Sequence, residues 1–197
     1  KKSVDIIDTT CPKVAKVQRL AKLFSEKSYK VIIIGDKKHK EVKGIYEWSG
    51  RKAKVIDTEK EAEKIKISPR DKIAIISQTT QDGDLFKEIT DKIKEKTPSS
   101  IEIFDTMCLT TRNRQGEAKK IARNSDVVLV IGSSESNNSK NLWQMAKKTN
   151  SRSYFIERVE DIKKNWFENY RTVGVLAGAS TPSWIIQEVC SFIENRL

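Results

Sequence analysis

Two cysteines stand in matched settings. Cys11 closes the run Asp8-Thr9-Thr10-Cys11, and Cys108 closes Asp105-Thr106-Met107-Cys108, 97 residues later. A lone cysteine behind a strand-like segment is commonly a small buried hydrophobe. A matched pair points instead to shared chemistry: a disulfide, or two thiolate ligands for a soft metal or an iron–sulfur group. Three cysteines and no visible secretion signal favour a reducing compartment, and so ligands over a disulfide. Helices predicted to start just behind each cysteine would favour the thiolate. Cys190 lies among Ile185, Ile186, Val189, Phe192 and Ile193 in a predicted helix and reads as core. His39 is the one histidine, which excludes a multi-histidine zinc site within the chain.

Other polar clusters carry further chemistry. His39-Lys40-Glu41 follows a strand and is read as a loop. It is either ordinary exposed charge or a proton donor beside an anion contact. Ser133-Ser134-Glu135-Ser136-Asn137-Asn138-Ser139 follows Gly132 and precedes a helix expected near Lys140. Such runs are often flexible, but small polar groups and free N–H groups at a helix start suit phosphate. Gly178-Ala179-Ser180-Thr181-Pro182 repeats the pattern, with Pro182 placed as a first helical residue, and so does Ser77-Gln78-Thr79-Thr80. Arg112-Asn113-Arg114-Gln115 suits a helix cap or an anion contact equally. There is no Walker or GxGxxG motif, so no nucleotide is specifically indicated.

These clusters need a scaffold that places them together. Short Val/Ile-rich strands are predicted at 4–7, 30–34, 53–56, 72–76, 101–104, 127–131, 154–156 and 172–176. Helices are predicted at 13–26, 84–96, 115–124, 140–148 and 182–196. Such alternation specifies an α/β fold with mostly parallel sheets covered by helices. The order of features repeats. Ile34-Gly35 matches Ile131-Gly132 at the cysteine offset, and Ser77-Gln78-Thr79-Thr80 matches Ala177-Gly178-Ala179-Ser180 at 100 residues. We read two tandem similar domains, 1–97 and 98–197, divided at the turn-rich Thr97-Pro98-Ser99-Ser100. Each polar cluster follows a strand, where open parallel sheets hold their sites.

The net charge is +11. Lysines are spread through every helical segment among acids, and aromatics do not interleave with basic runs. A solvated lysine shell explains this better than a nucleic-acid surface. A diffuse positive field also suits a small anionic substrate. No apolar run approaches the ~18 residues of a membrane span, so no membrane partner is expected.

Together, Asp8-Thr9-Thr10-Cys11-Pro12, His39-x-Glu41, Gln78-Thr79-Thr80, Asp105 to Cys108 with Asn113-Arg114-Gln115, Gly132-Ser133 with Ser136 to Ser139, and Ala177 to Pro182 resemble the LytB family of 4-hydroxy-3-methylbut-2-enyl diphosphate reductases. The resemblance runs through essentially the whole chain. It implies three similar α/β domains in pseudo-threefold arrangement around a [4Fe-4S] cluster, each domain giving one cysteine. It implies reductive loss of the substrate hydroxyl as water, yielding isopentenyl and dimethylallyl diphosphate in the non-mevalonate isoprenoid pathway. By motif match, Cys11 and Cys108 would be cluster ligands. Glu41 would deliver protons, with Thr79 in its network. His39, Thr80, Ser136, Asn137, Asn138 and Ser180 would bind the diphosphate. A cytoplasmic enzyme fed by an electron donor such as ferredoxin or flavodoxin is implied. Asn137 stands where many members have serine, and Lys40 where many have proline. The family's first domain, with its Gly-Phe-Cys motif and two histidines, has no match here. The expectation is therefore a partial enzyme: the second and third domains, with the third cysteine to come from the missing one. The alternative is a non-catalytic anion-binding α/β module without a cluster.

Overall fold

The computed structural model describes residues 7–97 and 100–196. The strand expected at 4–7 and the turn at 98–99 fall largely outside these residues. The described chain forms two compact units, Lys1–Thr111 and Arg112–Leu197.

The first unit holds a four-stranded parallel sheet, order β2-β1-β3-β4. Its strands are β1 (Lys30–Ile34), β2 (Lys54–Ile56), β3 (Ile73–Ser77) and β4 (Ile101–Phe104). Its helices are α1 (Pro12–Glu26), α2 (Lys40–Trp48), α3 (Glu59–Lys64) and α4 (Gly83–Glu95). The unbroken Val31-Ile32-Ile33-Ile34 run is explained by helices on both faces. Ile32, Ile34, Ile73 and Ile75 pack with Phe86, Ile89 and Ile93 of α4. Val31, Ile33 and Ile76 face the other way, onto Val17 and Ala21 of α1 and Val42 and Ile45 of α2. Each such Ile or Val side chain contributes about 1.5–3 kcal/mol by leaving water.

The second unit holds a three-stranded parallel sheet, order β6-β5-β7. Its strands are β5 (Val127–Ile131), β6 (Ser153–Ile156) and β7 (Val173–Ala177). Ala118 and Ala122 of α5 (Leu109–Arg123) and Ala146 of α6 (Asn137–Thr149) cover Val128, Val130 and Leu176. Val189 of α7 (Ser183–Arg196) and Phe167 cover Val127, Leu129 and Ile131. Two short 3₁₀ turns, Val159–Asp161 and Lys164–Phe167, stand where the first unit has α3. The offset between matched residues is 97 at Gly132 and already 100 at Ile156, so the extra residues lie between those two, in the segment that carries α6.

β4 opens the second sequence repeat, yet it pairs with β3, Ile73 opposite Ile101 and Ile76 opposite Phe104. Cys11 and Cys108 therefore both lie in the first unit. Parallel pairing is non-local and leaves no mark on the local sequence pattern. α5 begins directly behind Cys108, as expected for the cysteine and ahead of the start read at 115, so Arg112 to Gln115 are helical rather than capping. Two other helix starts differ from expectation. α6 begins at Asn137 because Ser136 caps it. Pro182 precedes α7 by one residue, its carbonyl accepting from the N–H groups of Ile185 and Ile186 at 3.2 and 3.4 Å.

Candidate active site

In both units the polar clusters gather at the carboxyl ends of the strands, and the backbone there is duplicated. The Gly35 N–H donates to Ile56 and the Gly132 N–H to Ile156, each at 3.0 Å. The Gln78 N–H donates to Ile34 and the Gly178 N–H to Ile131, each at 2.9 Å.

The two Asp-Thr-x-Cys runs are built alike. Asp8 accepts a hydrogen bond from the Thr10 N–H at 2.9 Å, and Asp105 accepts one from the Met107 N–H at 3.2 Å. Each aspartate thus curls the chain two residues on and presents the cysteine at a helix start. Cys11 is exposed and stands at the N-cap of α1, with Pro12 in the first turn. Cys108 is half-buried. The N–H groups of Thr110 and then Thr111 hold its thiol below the ordinary cysteine range against the opposing effect of burial, and Lys13 of α1 adds to the lowering. Backbone dipoles at a helix start stabilise a thiolate in this way. Behind Cys108, Thr106 is locked to β3: its N–H donates to Ser77 Oγ at 3.0 Å, and its hydroxyl bonds the Ser77 carbonyl.

The run 39–41, expected as loop, is instead the start of α2. His39 is the N-cap, and its Nδ1 accepts from the Glu41 N–H at 3.2 Å. In the neutral ring Nε2 then carries the hydrogen and is available to donate. Glu41 lies in the first helical turn and is half-buried. Both of its oxygens accept from Thr79, one from the N–H at 2.7 Å and the other from Oγ1 at 2.9 Å. The Thr79 carbonyl in turn accepts from the Cys108 N–H at 2.9 Å. Buried Thr79 therefore joins the Glu41 carboxylate to the cysteine loop through three hydrogen bonds.

Gln78 is a structural contributor not singled out by sequence. Its Oε1 accepts from the Asp36 N–H and its Nε2 donates to Thr80 Oγ1, both at 3.0 Å. It thereby ties the turn leading to His39 to the Thr80 hydroxyl. Gly35 makes room: a Cβ there would stand 2.8 Å from the Gln78 Cβ and 2.9 Å from Oε1. A glycine directly behind each central strand was the available signal.

In the second unit, Ser136 caps α6, and Asn138 lies half-buried in its first turn. The side chain of Asn137 lies outside the described residues. Ser180 is exposed and lines a cavity of about 210 Å³ with Gly132, Ser133, Glu157, Thr181, Pro182 and Ile185. The Glu157 carboxylate is engaged by the hydroxyl and N–H of Ser134, which hold its pKa below the ordinary range. Cys190 is half-buried in α7, among Val189, Ile186 and Ile193 of the core.

No group of three or more metal-binding side chains occurs among the described residues. The soft donors present are thiols, and Cys108 sits where its thiolate is favoured, so the pair fits two positions of a thiolate-bound cluster. No helix among the described residues is long and apolar enough to cross a membrane.

Comparison with known proteins agrees with this architecture. The model of the family described as LytB protein matches residues 1–194. The 4-hydroxy-3-methylbut-2-enyl diphosphate reductase of Campylobacter jejuni is 42% identical over 195 residues, covering 99% of this chain and 69% of that protein. The reductase of the same name from Alkaliphilus oremlandii is 37% identical, covering 98% and 69%. The solved E-1-hydroxy-2-methyl-but-2-enyl-4-diphosphate reductase of Plasmodium falciparum superposes with a TM-score of 0.88 at 30% identity, over 96% of this chain and 60% of that one. The chain thus spans about two thirds of these curated relatives and less of the solved one, and it belongs to the LytB family of oxidoreductases.

Proposed function

We propose that this chain is the part of a 4-hydroxy-3-methylbut-2-enyl diphosphate reductase that holds two cluster cysteines, the proton-delivering carboxylate and several diphosphate donors. The observation that carries this reading is the Thr79 hub, which links the Glu41 carboxylate to the loop of Cys108. Cys11 and Cys108 would hold a [4Fe-4S] cluster, with the third thiolate supplied from outside these 197 residues. Cys190 is unsuited to that role. It lies seven residues into α7, about 10 Å along the axis from the helix end near the polar loops. When bound, the cluster supplies electrons and an open Lewis-acidic iron.

The residues of this chain do the rest. Glu41, fixed at both oxygens by Thr79, is placed to pass a proton to the departing hydroxyl without searching for its geometry. His39 Nε2 and the hydroxyls of Thr80, Ser136 and Ser180, with the amides of Asn137 and Asn138, bind the diphosphate. Two electrons, from a donor such as ferredoxin or flavodoxin, and two protons then account for loss of the hydroxyl as water.

Anaerobic reconstitution of the complete gene product tests the reading. An iron–sulfur chromophore and turnover of 4-hydroxy-3-methylbut-2-enyl diphosphate are expected. Absence of both rejects it, and diphosphate binding without a cluster would establish the non-catalytic module instead.

A further inference from the structure

Ser139 is one residue that the resemblance does not assign. It is 0% exposed, in the first turn of α6. Its side chain fills the gap between Gly132, behind β5, and Gly178, behind β7. A Cβ on either glycine would collide with the Ser139 hydroxyl. The first unit fills the matching gap differently. There Val42 stands at the place of Ser139 and Gln78 at the place of Gly178, both close against Gly35. Each unit thus carries one polar group in this slot, supplied by the strand end in the first and by the helix in the second. In both cases it reaches a hydroxyl of the proposed anion loops: Gln78 reaches Thr80, and Ser139 reaches Ser136.

The hydrogen-bond count at Ser136 has a chemical consequence. A serine hydroxyl has two lone pairs and one hydrogen. The Ser139 hydroxyl donates to Ser136 Oγ at 3.1 Å, and the Ser139 N–H donates to the same oxygen at 3.3 Å. Both lone pairs are taken, so Ser136 can engage a further group only as a donor. A donor-only hydroxyl accepts an anionic oxygen as partner and rejects another donor.

We infer that Ser139 is a positioning residue for diphosphate recognition: it fixes Ser136 as a dedicated donor, and Gly132 and Gly178 are glycines because they make space for it. This rests on the reading of Ser136 as a diphosphate contact.

The test uses the complete, cluster-loaded enzyme with 4-hydroxy-3-methylbut-2-enyl diphosphate, and calorimetry with inorganic diphosphate as an independent readout. Ser136→Ala should raise KM about tenfold, the effect of losing one hydrogen bond to a charged group. Ser139→Ala should raise KM about fivefold with kcat within about twofold, and weaken inorganic diphosphate in parallel, as a weakened charge-assisted hydrogen bond would. The double variant should match Ser136→Ala alone within about twofold, because both changes act through one hydroxyl. Gly178→Ala, which displaces the Ser139 hydroxyl without removing it, should raise KM as Ser139→Ala does. A structural role alone predicts multiplying losses in the double variant and a fall in kcat, and either result overturns the inference. If Ser136→Ala raises KM and Ser139→Ala does not, the positioning role fails and the diphosphate reading stands. If Ser136→Ala leaves KM and inorganic diphosphate affinity unchanged, both fail.

Discussion

Thr79 makes three hydrogen bonds with two partners whose roles differ, and their separate removal is informative. Its hydroxyl serves only Glu41, while its backbone serves both Glu41 and Cys108. Thr79→Ala should therefore keep the cysteine loop in place and loosen the carboxylate. The expected result is a fall in kcat of about ten- to a hundredfold, at or below the low end of what one positioned acid–base group supplies because Glu41 itself remains, with iron content retained and KM within a few-fold. Thr79→Ser keeps the hydroxyl and should recover most of the rate. Equal losses in the two variants would show that the methyl group, not the hydroxyl, matters. The cysteines, Glu41 and Thr79 were legible from sequence because each sits in a short distinctive run. Gln78 and Ser139 stood in the same runs without distinction. Their roles depend on which glycine they face across 43 and 7 residues of chain, which spacing alone does not reveal.

At the scale of elements, the strands were legible because a strand buried on both faces reads as an unbroken Val/Ile run. α2 was not. Its Lys40–Trp48 segment is short, carries Gly44 in its interior and is held by an N-cap histidine, an uncommon capping residue. Tertiary packing of Val42 and Ile45 onto β1 outweighs that weak local preference. The strand-end glycines give a direct test of element packing. Gly35→Ala would set a Cβ 2.8 Å from both the Gln78 Cβ and Val42 Cγ2, and should cost about 1–3 kcal/mol, the range for overpacking. Gly116 lies in α5 with nothing within 4 Å of an added Cβ. Gly116→Ala should instead stabilise by about 0.5–1 kcal/mol. Urea titration of both variants checks the contrast, and equal signs would contradict it. The entry to β7 offers a pH test. The N–H groups of Arg171 and then Thr172, with the Thr172 hydroxyl, hold the Asp126 carboxyl below its ordinary value. A native pKa lowered in this way adds stability above the unfolded value of about 3.9, and that stability is lost as pH falls through the native one. Asp126→Asn should lower the melting temperature at pH 7, and the gap from wild type should close toward pH 2. A gap independent of pH would sink the assignment.

Across the whole molecule, charge and ligand count bear on function differently. Some lysines are paired locally: Lys92 with Glu59 at 3.0 Å and Glu63 at 2.7 Å, Lys30 with Asp71 at 3.1 Å, and Lys37 with Glu61. Exposed pairs of this kind add little stability and make a solvated shell rather than a binding face. The cysteines are more decisive. The chain has three, of which two occupy equivalent helix starts and the third lies in a helix packed on the core. The proposed [4Fe-4S] cluster with one open iron would need three protein thiolates, and on that proposal Cys11 and Cys108 supply two of them. Iron and acid-labile sulfide per chain, measured after anaerobic reconstitution, should follow that count. The complete gene product should load fully, and its Cys190→Ser variant should load equally well. Cys11→Ser and Cys108→Ser should each retain only a small fraction, and the isolated 197-residue chain should load less than the complete product. Loss of iron on replacing Cys190 would make it a ligand and remove the need for a thiolate from elsewhere, and full loading of either Cys11→Ser or Cys108→Ser would dissolve the pairing on which the site is built.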